Sequence, residues 1–297
     1  MTDPITQPPL SGLRVIELGQ LIAGPFCGQL LGDFGAEVVK VEARDRPDPA
    51  RDWGAVKYEG HGLLWPIIAR NKLSVTLNLR VKEGQAILKR LVDTADVLVE
   101  NFRPGTLEKW GLGPDVLMAI NPRLVMVRVS GYGQTGPESH KPGYASVGEA
   151  KAGLRHLIGE PDRPPARAGV SLGDTMTGTF AALGAVLALF HREKSGRGQV
   201  VDAAIYESVM AFMESLIPEY ALGGHTRERT GGILPKVAPS GAYPCADGMV
   251  IIGANQDTLF VRLAKMMGKD WAGDPRFATH DARGENQAEL DDMISAW

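Results

Sequence analysis

The 297-residue chain is poor in cysteine, with two, Cys27 and Cys245, each in an apolar stretch. Two cysteines are no disulfide framework, and their scarcity fits a reducing, cytoplasmic setting. An excess of charge of one sign is also missing. A net charge of −3 and a pI of about 6.1 give no basic field for nucleic acid or an anionic membrane. The longest apolar run, Phe180 to Phe190, is interrupted by Gly184 and falls short of the roughly 20 residues that cross a bilayer. The opening MTDPITQPPLSG has no basic region followed by an apolar one, so no signal peptide is read. His61, His140, His156, His191, His225 and His280 show no H-x-x-x-H spacing, which speaks against a metal enzyme. G-x-S-x-G is absent as well, which speaks against a serine hydrolase.

What is there is the make-up of an ordinary globular protein, 44% hydrophobic and 23% charged. LRVIEL (13–18) is apolar and β-branched; a loop, a helix from about Gly24 to Asp33 and a second strand, Glu37 to Val41, follow. So short a strand–helix–strand unit implies parallel strands and a right-handed crossover. The rhythm returns in KLSVTLNL (72–79), KEGQAILKRLVDTA (82–95) and DVLVEN (96–101). TLEKWGLGPDVLMAINP then supplies a short helix pair, and LVMVRVSGYG (124–133) another strand. Residues 1–200 are therefore expected to form a large α/β domain with a Rossmann-like doubly wound sheet. Residues 201–220 read as helical, inside a linker spanning 201–232 that ends rich in glycine and charge. A smaller α+β domain, 233–297, is expected after it. There GAYPCADGMVIIGA suggests two strands joined at an Asp247-Gly248 turn, DTLFVRLAKMMG an amphipathic helix and NQAELDDMISAW the start of another. The chain stops at Trp297 within that helical pattern and without a C-cap, as expected of a segment of a longer protein.

In AGVSLGDTMTGTFAALGAVLALFHR (168–192), Asp174 stands at the mouth of an almost wholly apolar helix. Aspartate is a favoured N-cap and would accept the amides of Met176 or Thr177. Gly173 and Gly178 on either side would also let a ligand approach the backbone closely. A carboxylate fixed beside free amides makes a nucleophile with an oxyanion site attached. Both roles stay open here. Ala181, Gly184, Ala185 and Ala188 form a small-residue face suited to close packing. The first loop, GQLIAGPF, has the place of a nucleotide-binding turn but lacks G-x-G-x-x-G, and alone reads as a βα turn. Asn101, Arg103 and Lys109 follow a strand end, where open α/β sheets bind ligands. The two cations suit phosphate or pyrophosphate, and equally a solvated surface. GYGQTGPESHKPGY (131–144) is a long loop with a tyrosine near each end, of the kind that is often functional.

Taken together, LSGLRVIELGQLIAGPFCGQLLGDFGAEVVKVE, RNKLSVTLNL, DVLVENFRPGTLEKWGLG, VSGYGQTGP with KPGY, and GVSLGDTMTG resemble class III CoA-transferases, and DPRFATHDARGENQAEL resembles their small-domain segment. The resemblance implies a large Rossmann-like domain, a small domain and two chains interlocked as a homodimer. Members are longer than this sequence, with a C-terminal segment that returns to the large domain. It further implies acyl-CoA and a small carboxylate as substrates, coenzyme A arriving as a thioester, no permanently bound cofactor, and no nucleic-acid or membrane partner. By position, Asp174 matches the family's nucleophilic aspartate. Ile22 and Ala23 match the loop whose backbone approaches the thioester. Leu77, Asn78, Leu79, Arg80, Asn101, Phe102, Arg103 and Lys109 match positions lining the nucleotide and pantetheine of CoA. Lys141 and Tyr144 match a basic position and a tyrosine beside the active site. Arg44 matches an adenosine-phosphate contact, displaced by one because Ala43 precedes it. Where members commonly carry an acid after that tyrosine, this chain has Ala145, and Glu149 further on.

GYASVGEAKAGLRHLIGEPDRPPARAGVSLGD looks closest to members that use succinyl-CoA and dicarboxylates such as glutarate, itaconate or mesaconate. Arg103 and Arg167 would pair with a second substrate carboxylate. The alternative enzyme is an α-methylacyl-CoA racemase, which needs a base and an acid on opposite faces of Cα. Relatives of that kind use a histidine and an aspartate, and His156 lies before Asp174 but outside any matching motif. A CoA-binding protein without chemistry is the third reading.

Overall fold

The computed structural model describes residues 7–297. Six parallel strands form the main sheet: β1 (Arg14–Glu17), β2 (Glu37–Glu42), β3 (Lys72–Thr76), β4 (Val97–Glu100), β5 (Val125–Ser130) and β6 (Val200–Ala204). Their order is β3-β2-β1-β4-β5-β6. The chain winds outward from β1 on one side and restarts at β4 on the other. The carboxyl ends of β1 and β4 therefore flank a switch point, the place where sheets of this kind bind ligands.

Successive strand residues point to opposite faces, and both faces are covered. Val15, Val38, Val97, Val99, Val125 and Val127 pack on one side with residues of α1 (Ala23–Asp33) and of the long helix Leu172–Ser195. Ile16, Val39, Val41, Leu98 and Met126 pack on the other side with Leu88 and Val92 of α2 (Lys82–Val92). This double burial is why DVLVE and LVMVRVS read as nearly unbroken apolar runs. Two further helices bear on the site: α3 (Ala145–Lys151) and the long helix, α4 (Leu172–Ser195). At 24 residues α4 is long and apolar enough to cross a membrane, a length the interrupted run Phe180 to Phe190 understates. In this fold its alanines Ala181, Ala185 and Ala188 are buried against α1 and the sheet.

The expected helix over 201–220 is corrected. Residues Val200–Ala204 form the edge strand β6, in register with β5 from Met126–Val200 to Ser130–Ala204. Only then does α5 (Ile205–Met210) begin, and Leu216–Gly223 is a separate helix. Pairing along β5 and the β-branched Val200 and Val201 outweigh the helix preference of Ala203 and Ala204. The chain divides into two compact units, Met1–Arg155 with Ala168–Gly224, and His156–Arg167 with His225–Trp297. Residues 201–224 thus go with the sheet rather than with a linker, because β6 completes that sheet and α5 packs on α3 and α4.

In the second unit, β7 (Ser240–Cys245) and β8 (Gly248–Gly253) are antiparallel. Gly248 pairs with Cys245, so the turn is Ala246-Asp247, one residue before the expected Asp247-Gly248. The helices α6 (Asp257–Met266) and α7 (Gln287–Ser295) contribute Phe260, Ala264, Leu290 and Ile294 to a core with Tyr243, Trp271 and Phe277. Arg283 is wholly buried, and donates to the carbonyls of Ala238 (3.1 Å), Phe277 (3.0 Å) and Asn255 (2.7 Å).

Candidate active site

A cleft of about 450 Å³ lies at the carboxyl ends of β1 to β4, and the segment after each strand supplies a wall. Leu18 and Gln20 follow β1; Ala43, Asp45 and Arg46 follow β2; Leu77, Asn78, Leu79 and Arg80 follow β3; Phe102, Arg103, Thr106 and Trp110 follow β4. Three guanidinium groups among leucine and aromatic side chains suit a ligand with anionic and apolar parts. A second cleft of about 110 Å³ is lined by Asn101, Phe102, Arg103, Ser130, Gly131, Lys141 and Tyr144 among others. Phe102 and Arg103 line both, so the two adjoin along the sheet edge. Arg44 and Lys109 are exposed and line neither, while Arg46 and Trp110, which the sequence reading passed over, line the first. Lys141 pairs with Glu138 at 2.7 Å, and Glu138 also takes Lys151 at 2.7 Å. Those two bonds pull the Glu138 carboxyl down to about 2.

The first loop is held from below by buried charges. Glu17, Lys40 and Asp48 are at most 2% exposed. The ammonium of Lys40 donates to the carbonyl of Gly19 and pairs with Glu17 (3.1 Å) and Asp48 (2.8 Å). Burial alone would lower the Lys40 pKa; Glu17 and Asp48 outweigh it and hold it above its ordinary value. Lys72 pairs with Glu17 at 2.7 Å and donates to the carbonyl of Pro25 at 2.7 Å; there burial prevails and its pKa is lowered. Asp48 accepts the amide of Leu21 at 2.9 Å. Asn101 accepts the amide of Gln20 at 2.7 Å and donates to its carbonyl at 2.8 Å. Leu21 is thereby kept at φ 64°, a left-handed conformation costly for a branched side chain. The loop delivers Ile22 and Ala23 to the start of α1, where both are buried; neither lines the two clefts. Ionisable residues inside apolar strand runs, Glu17 in RVIEL and Lys40 in VVKVE, were the signal for this cluster.

Asp174 is the third residue of α4, half-buried, and not its N-cap. The cap is Ser171, whose side chain makes no capping bond. The helix starts earlier than expected because the buried carboxylate of Glu149, on α3, accepts the amide of Gly173 at 3.0 Å. Gly173 lies so close to Ala145 that a Cβ would meet its Cα at 3.2 Å, and Ala145 follows Tyr144. Gly178 shares a helix face with Asp174 one turn on, and a Cβ there would meet the carbonyl of Ala23 at 2.8 Å. Asp174 is thus carried between two backbone contacts, one to the segment bearing Tyr144 and one to the loop bearing Ile22 and Ala23. His156, the residue of the racemase alternative, pairs with Glu228 at 2.9 Å in the second unit, to which Arg167 also belongs.

A doubly wound sheet, a cationic cleft over its switch point and a carboxylate on the neighbouring helix define an α/β protein that handles an anionic, partly apolar ligand. The pattern of CoA-transferase family III is matched over residues 10–297. The chain is 62% identical to succinyl-CoA–D-citramalate CoA-transferase of Chloroflexus aurantiacus, over 97% of this chain and 72% of that one. It is 38% identical to succinate–glutarate CoA-transferase of Agrobacterium fabrum, over 99% of this chain and 76% of that one. The crystal structure of a CAIB/BAIF family protein from Brucella suis superposes with a TM-score of 0.87 and 36% identity, over 98% of this chain and 78% of that one. The chain belongs to CoA-transferase family III, and it is a CoA-transferase.

Proposed function

We propose that this enzyme moves coenzyme A from succinyl-CoA to a small dicarboxylate or hydroxy-dicarboxylate, with Asp174 as the covalent nucleophile. The Asp174 carboxylate attacks the thioester carbonyl, forming a mixed anhydride and releasing CoA thiolate. The thiolate attacks the aspartyl carbonyl, giving an aspartyl-CoA thioester and free succinate. The acceptor carboxylate attacks that thioester, and the thiolate released then takes the acceptor acyl group, restoring Asp174. Each intermediate is an activated acyl, so no nucleotide hydrolysis is needed, and one hard exchange becomes several comparable steps. The observation that carries the reading is the contact of Gly178 with the carbonyl of Ala23, which sets the Asp174 face of α4 against the first loop. The 62% identity to a succinyl-CoA–dependent enzyme supports the donor. Arg46, Arg80 and Arg103 are the groups we assign to the phosphates of CoA, with Leu77, Leu79 and Phe102 along its apolar parts.

The enzyme works in the cytoplasm as a homodimer, with coenzyme A coming and going as substrate rather than as a resident cofactor. An exposed apolar stripe on α4, Phe180, Leu183, Leu187 and Phe190, supports a second copy as its cover. The test of the mechanism uses the protein expressed from its complete gene. After succinyl-CoA, hydroxylamine converts Asp174 to a hydroxamate seen by peptide mass spectrometry, and Asp174→Ala loses exchange by several orders of magnitude. Near-normal turnover of that variant would end the proposal.

A further inference from the structure

We propose that Glu149 is the positioning residue for the nucleophile: it caps α4 from outside and thereby sets the direction of Asp174. This rests on the mechanism above. Glu149 is 2% exposed, and both of its oxygens are engaged. One accepts the amide of Gly173 at 3.0 Å, and the other accepts from Nε of Arg155 at 2.8 Å. The first amides of a helix have no partner within it, and Ser171 gives α4 no side-chain cap. The amide next to Asp174 is therefore satisfied from another helix. The lack of side chains at Gly173 and the small Ala145 bring the two helices to backbone contact there, so the first turn of α4 is referenced to α3 rather than to its own entry loop. Glu149 is buried with both oxygens engaged, so acceptor choice is left to other groups. Its work is geometric, and displacing a reacting group by about 1 Å costs about a hundredfold in rate.

The test compares Glu149→Ala and Glu149→Gln in the protein expressed from its complete gene, with succinyl-CoA as the probe. Three quantities are read: the single-turnover rate of Asp174 hydroxamate formation, the split between kcat and KM, and the melting temperature. In Glu149→Ala the acylation rate and kcat fall together by about tenfold to a hundredfold, while KM stays within about threefold. In Glu149→Gln the amide oxygen still accepts from Gly173, Arg155 turns to solvent, and kcat stays within about threefold of wild type. If Glu149→Ala does not fold, Glu149→Leu fills the volume without an acceptor and carries the same expectation. A folded variant without the acceptor that acylates at the wild-type rate overturns the proposal. So does a loss confined to KM, or a glutamine variant as slow as the alanine one. Failure of wild type itself to form the hydroxamate refutes the mechanism, and the proposal falls with it.

Discussion

Helix propensity and the structure disagree about Gly28→Ala, which makes it a sharp test of the buried charge cluster. Replacing a helix-interior glycine by alanine ordinarily stabilises by about 1 kcal/mol. In α1, however, a Cβ at residue 28 would lie 1.9 Å from Oε2 and 3.0 Å from Cδ of Glu17. Ordinary contact requires a retreat of roughly 1.5–2 Å. Glu17 has nowhere to retreat without leaving Lys72 at 2.7 Å or Lys40 at 3.1 Å, and it is 0% exposed. Breaking a buried pair on one side costs about 3–5 kcal/mol, because it leaves an uncompensated charge. Subtracting the helix gain leaves a destabilisation of about 2–4 kcal/mol. For a unit of this size each kcal/mol lowers Tm by about 2–4 °C, so a fall of about 4–16 °C is expected. Thermal unfolding followed by circular dichroism at neutral pH measures it. A variant that melts at or above the wild-type temperature would show that Glu17 is not wedged against α1, and the reasoning would be refuted.

Two further expectations concern titration. Burial, and next the charge of Glu17, push the Cys27 thiol well above the usual thiol range, and the thiolate is the reactive form. A thiol reagent at pH 8 should therefore modify exposed Cys245 in the native protein and Cys27 only after denaturation, as read by peptide mass spectrometry; fast native labelling of Cys27 would contradict its burial. The Glu42 carboxyl is raised by burial, but bonds from Arg51 and the Asp48 amide prevail and leave its pKa below the ordinary 4.5. Its contribution is present above the ordinary value and lost as pH falls through the lowered one. Urea unfolding at pH 7, 4 and 3 should show Glu42→Gln less stable at pH 7 by about 1–3 kcal/mol and with a flatter acid limb. An unchanged acid limb would assign the linkage to another group.

Much of this site could be read from the chain because parallel strands buried on both faces leave a plain trace. RVIEL, DVLVE and VMVRVS carry it, and the loops after them had to fall on the carboxyl edge. Leu77, Asn78, Leu79, Arg80, Phe102 and Arg103 duly meet in one cleft. What escaped depends on pairing between distant segments. VVDAA is a strand only because β5 offers it a register. The cap position of α4 moved from Asp174 to Ser171 because a carboxylate from α3 satisfies Gly173. Local preference for aspartate at a helix start could not foresee a partner 24 residues away. Arg46 rather than Arg44 lines the cleft because the chain folds back in a bridge between Ala43 and Arg46.

The charges buried beneath the loops share one physical task. Valine and leucine can bury a sheet, but dispersion has little direction and does not fix the backbone of a loop beyond it. A charged hydrogen bond in a low-dielectric setting does. The segments after β1, β4 and β5 have such bonds: Lys40 to the carbonyl of Gly19, Asp48 to the amide of Leu21, Lys72 to the carbonyl of Pro25, Glu100 to the amide of Phe102 at 2.8 Å and Asp202 to the amide of Gln134 at 2.7 Å. Partners offset the desolvation of these ions unequally: Glu17 and Asp48 outweigh it at Lys40, whereas burial still prevails at Lys72, at Glu100 despite Arg128 at 2.7 Å, and at Asp202. Loops held in this way bring the left-handed Leu21, and with it Ile22 and Ala23, to one fixed place beside α4. The proposed transfer through anhydrides would need donors already aimed where the oxyanion forms. Rigidity stored in buried charge, rather than in the loops' own sequence, is how a chain this rich in glycine supplies it.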